Sequence, residues 1–206
     1  LLCVILYCLL SIIFMSWELL FPLWTANDHL LDARHCGLAA ATGGFVLVLF
    51  QFFCFGSIIS FFTPLLYFRF AWFFPILIFL LIPIWPQQKD SFFSSAILIQ
   101  IFLSLCLGSC FPAIALLTNA SCNHNQAPAA NGLTQTAVSI SRTLGPSFVI
   151  FLYAWSLRNE AQYSSLADHQ NLFSSTFDFL TGRAFVFLFL AALSFLTLLF
   201  SLSLKL

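Results

Sequence analysis

Charge is what this sequence has least of. Asp, Glu, Lys and Arg make up 7% of its 206 residues, seven acidic against seven basic, where a soluble domain carries about 25%. So little charge cannot cover a solvated surface, which excludes an ordinary soluble domain. A formal net charge of zero with no Lys or Arg cluster excludes a nucleic-acid partner and a polybasic surface helix, because both work through concentrated positive charge. Its seven cysteines include no CxxC pair, so no disulfide framework is implied, and Cys3, Cys8, Cys54, Cys106 and Cys110 read as buried free thiols acting as small hydrophobes. No Ser-His pair, HExxH string or paired acid lies within the apolar runs, which argues against a membrane-embedded enzyme and calls for no cofactor. An initiating Met and a basic n-region are also missing at Leu1, a pattern that reads as a partial chain rather than a signal peptide.

What the sequence has instead is length in apolar runs. Hydrophobic residues are 61% of the chain and mean hydropathy is +1.01. Six segments, at 1–24, 38–62, 67–85, 92–118, 131–157 and 183–204, approach the roughly 20 residues that cross a bilayer as a helix. Lipid forbids irregular exposed backbone, and segments of this length select helices over barrel strands. The expected fold is an all-α, multi-pass integral membrane bundle, one domain over 1–206, with the bilayer as its first partner. The tract 158–182 reads as a polar connection, and the join near Thr63-Pro64 is the least defined boundary.

The fifth segment, NGLTQTAVSISRTLGPSFVIFLYAWSL, carries more than lipid explains. Asn131, Gln135, Ser139 and Arg142 lie at offsets of four, four and three, one face of a helix, and Gly145-Pro146 interrupts the helix beyond them. A charge at this depth costs about 2.5–3.5 kcal/mol on insertion scales and normally faces a bundle interior or a watery cavity. Arg142 therefore reads as a group for an anionic solute or a buried carboxylate, with snorkelling to the interface as the alternative. Glu18, in the first segment, is the candidate for proton or cation coupling, because a low dielectric favours the neutral acid enough for a proton to exchange. An interfacial Glu held by neighbouring helices is its alternative. From about 1.5 Å per residue, the two charges are offset by about 11 Å along the bilayer normal, so separate roles are expected rather than a salt bridge. Gly145, Pro146, Gly108, Pro112 and Pro22 are hinge or packing points, and Gly43-Gly44 reads as a packing surface. Asp32 and His35 have the spacing of two ligands on one helical turn, but no closed metal site completes them.

Asn131-Gly132 through Gln135, Ser139 to Arg142, Gly145-Pro146 and Ala154-Trp155-Ser156 resemble the eleventh helix of major facilitator superfamily transporters, in particular the drug-proton antiporter and zinc-induced-facilitator-like group. Glu18 followed by Phe21-Pro22-Leu23-Trp24 is similar to that group's seventh helix, and Phe62 to Arg69 to the opening of its ninth. The resemblance implies that the chain is the carboxy-terminal half of a twelve-helix carrier, a three-plus-three inverted repeat whose amino-terminal half is its missing partner. It also implies a proton-coupled secondary transporter of a small solute working by alternating access. A half-carrier with a structural role is the alternative. The chain departs from the group at 55–60 and 126–130, where basic loops are replaced by uncharged residues. Counted literally, Arg34, Lys89, Arg158 and Arg183 against Arg69 and Lys205 put Leu1 outside. The resemblance puts Leu1, Asn125 and Lys205 in the cytoplasm and Asp28 and Ala167 outside.

Overall fold

Where the solvent offers no hydrogen bonds, an apolar segment satisfies its backbone by coiling, and the apolar segments of this chain do so. The computed structural model describes residues 1–84, 89–122, 127–166 and 184–204. Helix α1 is Leu2–His29 and α2 is Ala33–Phe50, which passes through a π-helical turn, Gln51–Phe55, into α3, Gly56–Phe61. Then follow α4, Pro64–Leu81, α5, Lys89–Gly108, α6, Cys110–Ala120, α7, Ala127–Leu166, and α8, Ala184–Leu202. No strand occurs among the described residues. With α2 and α3 forming one span and α5 and α6 another, six segments among the described residues are long and apolar enough to cross a membrane, consistent with a multi-pass membrane protein.

Several boundaries move from their expected places. Helix α1 runs on to His29 and stops where Leu30 turns left-handed at φ 51°, the N–H of Leu31 reaching back to the Thr25 carbonyl at 3.2 Å. Helix α7 continues to Leu166 instead of ending near 157, because Arg158 to Leu166 contains no Gly or Pro stop signal and residues such as Arg, Glu, Ala and Gln sustain a helix without apolar neighbours. The rest of the polar tract from 167, together with Trp85, Asn125, Arg183 and Lys205, lies outside the described residues. At the Thr63-Pro64 join, Phe62 and Thr63 are extended, as the residue before proline is driven to be, and the Thr63 hydroxyl accepts the Leu66 N–H at 3.3 Å.

Helix α1 touches α2, α5, α6, α7 and α8, and the broadest interfaces are α1–α7, α2–α5 and α4–α8. Lipid is as apolar as leucine, so close packing rather than water exclusion holds such helices together. Three glycines permit it. A methyl group at Gly145 would lie 3.0 Å from the Ile12 Cα, one at Gly43 would lie 2.9 Å from Gln100 Cγ and Ser104 Oγ, and one at Gly108 would strike the Leu47 side chain. The largest buried side chains are aromatic: Trp17 packs against Phe21, Trp24 and Phe79, and Trp24 against Phe92 and Phe187 at 5.5 Å. Phe45, Phe52, Phe53, Phe70 and Leu98 point outward. So does Cys54, against the expectation of a buried thiol, because it sits on the π-helical turn, none of whose residues is buried.

Arg69 is spent inside the fold. Its Nε and Nη2 donate to the Ser201 carbonyl at 3.2 and 2.8 Å, and Nη2 to the Leu204 carbonyl at 2.8 Å. The last carbonyls of a helix lack intrahelical donors and carry its negative dipole end, so a guanidinium there supplies both hydrogen bonds and charge. This is a structural reason why Arg69 is a poor indicator of orientation.

Candidate functional site

Tyr7, Ser11, Phe14 and Glu18 follow one another at offsets of four, three and four and form one stripe of α1. Opposite lie Gln100 and Ser104 of α5 and Phe111 of α6. Glu18 is half-buried at the far end of this seam from Leu1. Gln100 Nε2 donates to Glu18 Oε1 at 3.1 Å and lies 3.5 Å from Ser104 Oγ, while Trp17 Nε1 donates to Gln100 Oε1 at 2.8 Å. An indole nitrogen can only donate, so Trp17 fixes which end of the amide is oxygen and turns the NH2 toward Glu18. Gly43 lets α2 lie against Gln100 and Ser104 from behind. Glu18 also stands four residues before Pro22, whose missing N–H removes the helical donor to the Glu18 carbonyl.

Gln100 is not among the residues that the sequence marks as a site. Its signal was there: a lone amide in the run 96–107, with Ser104 one turn on. A buried amide in an apolar helix needs partners, but nothing along the chain says that they are Trp17 and Glu18.

On α7 the four polar residues do share a face. The structure places Asn131, Gln135, Ser139 and Arg142 on the exposed side of the helix, outside the interior of the six-span bundle, whereas Thr134, Val138, Gly145, Pro146 and Val149 turn inward. The Ser139 hydroxyl donates to the Gln135 carbonyl at 2.8 Å. The Arg142 guanidinium sits over the Phe111 ring, 5.4 Å from its centroid. Phe111 in turn packs edge-on against Phe14 at 5.2 Å and lies tilted against Tyr7 at 5.8 Å. Glu18 and Arg142 are thus brought to one seam but not to each other: the carboxylate bonds Gln100, and the guanidinium rests on an aromatic ring. Along the same stripe, fully buried Ser11 has a hydroxyl without a partner, unlike Thr118, Ser194 and Thr197, which bond the carbonyl four residues back. An unpaired buried hydroxyl costs about 1–3 kcal/mol, which apolar packing does not explain.

The proline and glycine sites divide. Gly145 and Pro146 are buried where α7 crosses α1. Gly108 and Pro112 bracket the break between α5 and α6. Pro112 has no N–H for the Gly108 carbonyl, and Gln51 Nε2, from the π-helical turn, donates to it at 3.3 Å instead. Tyr67 of α4 adds a 2.5 Å bond to the Ser109 hydroxyl in that break. At the start of α2, Asp32 and His35 approach to 4.0 Å, and no group of three metal-ligand side chains occurs among the described residues. Comparisons with protein-family models and with curated proteins find no match to the chain.

Proposed function

We propose that this chain is the carboxy-terminal half of a major-facilitator-type secondary transporter, moving a small solute with protons by alternating access. The observation that carries the reading is the carboxylate of Glu18, placed within a membrane span and tied by a fixed amide to the facing span. An acid in that position serves a proton better than it serves packing. Helix pairing supports the half-carrier architecture. If the first three spans are exchanged in order with the last three, the α1–α7 interface maps onto α5–α2 and α4–α8 onto itself, as an inverted repeat requires. The exposed polar face of α7 is then the surface that a missing amino-terminal half and a central cavity would cover.

Glu18 takes and releases the proton in this reading, and Arg142 attracts the anionic group of a solute, with Asn131, Gln135 and Ser139 along the same face. Gly145-Pro146 and the Gly108–Pro112 break are where α7 and the fourth span bend as the half rocks.

The test uses the full-length protein in proteoliposomes loaded with a pH-sensitive dye and challenged with a panel of small organic anions and cations. Wild type should acidify or alkalinise the lumen saturably with one solute class, and Glu18→Gln, which keeps shape but loses the proton, should abolish the proton signal. Equal proton movement in the two proteins would remove Glu18 from coupling. Saturable solute flux in neither would favour a structural role for the chain.

A further inference from the structure

We infer that Gln100 is a positioning residue for Glu18, and that the Trp17–Gln100–Glu18 chain ties the proton on Glu18 to the contact between α1 and α5. The inference rests on the proton-coupling reading of Glu18, but it goes further, to the device that would convert proton occupancy into helix movement.

Three observations carry it. Gln100 is 1% exposed and Trp17 is 0% exposed, so their 2.8 Å bond is shielded from competing donors and acceptors. Because the indole N–H can only donate, the amide is locked with its NH2 toward Glu18, and one N–H reaches Oε1 at 3.1 Å. Behind the side chain, α2 packs closely at Gly43, where an added methyl group would lie 2.9 Å from Gln100 Cγ. Gln100 can thus neither rotate nor withdraw without breaking a buried contact.

A rigid donor discriminates between the two forms of a carboxyl group. Toward the carboxylate it makes a charge-assisted bond, roughly twice as strong as a neutral one. When a proton arrives from the aqueous side and binds a carboxylate oxygen, that bond becomes neutral, and the new O–H faces an amide that presents N–H groups rather than its oxygen. Proton loading therefore weakens the link between α1 and α5, and release of the proton restores it. Among the described side chains Glu18 forms no ion pair, and Arg142 is held over Phe111, so the Gln100 amide is the hydrogen-bond partner shown for this acid.

The test needs no transported solute. In the full-length protein in nanodiscs, the infrared C=O band of protonated Glu18 is assigned by its loss in Glu18→Gln and followed against pH. Its titration midpoint should move by on the order of one pH unit in Gln100→Leu. It should also move in Trp17→Phe, which keeps a ring in the aromatic core while deleting the donor and so controls for misfolding. Nitroxides introduced by Leu19→Cys and Leu98→Cys, both exposed positions on α1 and α5, on a background in which the native cysteines, exposed Cys54 among them, are replaced, should report a distance that changes across the same pH range when Glu18 and Gln100 are intact. That change should be lost in Gln100→Leu and in Glu18→Gln. One midpoint shared by wild type, Gln100→Leu and Trp17→Phe would overturn the positioning role, and an unaltered distance change in Gln100→Leu would overturn the coupling to α1 and α5. Both outcomes are independent of the flux assay, so a Glu18 that proves dispensable for transport would sink the proposed function while leaving this result standing.

Discussion

Gly43 and Gly44 are neighbours on α2, yet a methyl group added to each should have opposite consequences. At Gly43 the new Cβ would meet Gln100 Cγ and Ser104 Oγ at 2.9 Å and the Gln100 backbone oxygen at 3.2 Å; at Gly44 it would meet nothing within 4 Å. The side-chain contacts can yield, but the backbone oxygen moves only with α5. Relief of a few tenths of an ångström across the α2–α5 interface is overpacking, which costs about 1–3 kcal/mol. Both substitutions gain the same helix propensity, at most about 1 kcal/mol. That gain cancels in the difference, so Gly43→Ala should be less stable than Gly44→Ala by about 1–3 kcal/mol. The loss at Gly43 should also disturb the Trp17–Gln100–Glu18 hydrogen bonds, because their central amide is the group displaced. Reversible unfolding in mixed detergent micelles, followed by circular dichroism, measures the stability difference, and Trp fluorescence reports on the indole environment. Equal stabilities for the two variants would refute the close α2–α5 crossing, and with it the reason given for a rigid Gln100.

Arg69→Met should release the end of α8, costing about 1.5–3 kcal/mol for the lost charged hydrogen bonds, with faster amide hydrogen exchange confined to residues near 201–204. Gln51→Leu leaves the Gly108 carbonyl without the donor that replaces the proline-deleted one and should cost about 1–3 kcal/mol. Pro112→Ala restores a backbone N–H for that carbonyl, so a double-mutant cycle should show Gln51→Leu to be milder when combined with Pro112→Ala; strict additivity would argue against the substitution of one donor for the other. Arg142→Leu should change the stability of the bundle by no more than about 1 kcal/mol, the value of an exposed cation–π contact, while abolishing solute uptake by the full-length protein. Arg142→Lys should restore uptake only in part, lacking the planar fork of a guanidinium; equal initial rates for Arg, Lys and Leu would show that the charge merely reaches for the interface.

Six spans were legible from residue order alone, because the cost of exposing polar backbone to lipid is local and a run of about 20 apolar residues answers it without help from the rest of the chain. The shared face of Asn131, Gln135, Ser139 and Arg142 was legible for a similar reason, since about 3.6 residues per turn converts spacing into direction. Spacing does not say what a face looks at. That Arg142 lies over Phe111 and not against Glu18 depends on how α6 and α7 pack around α1. Gln100 reaches Trp17 and Glu18 across more than eighty positions of sequence, at a distance set by the glycine crossing of α2 and α5, so no local pattern could pair them. Arg69 likewise read only as a charge near one end of a span; the packing of α4 against α8 gives it the carbonyls of a helix end. Sequence determined which segments are long and apolar enough to cross a bilayer, because that depends on each segment alone; only tertiary structure decided the partners of Gln100, Arg69 and Arg142, because those partners stand on other helices.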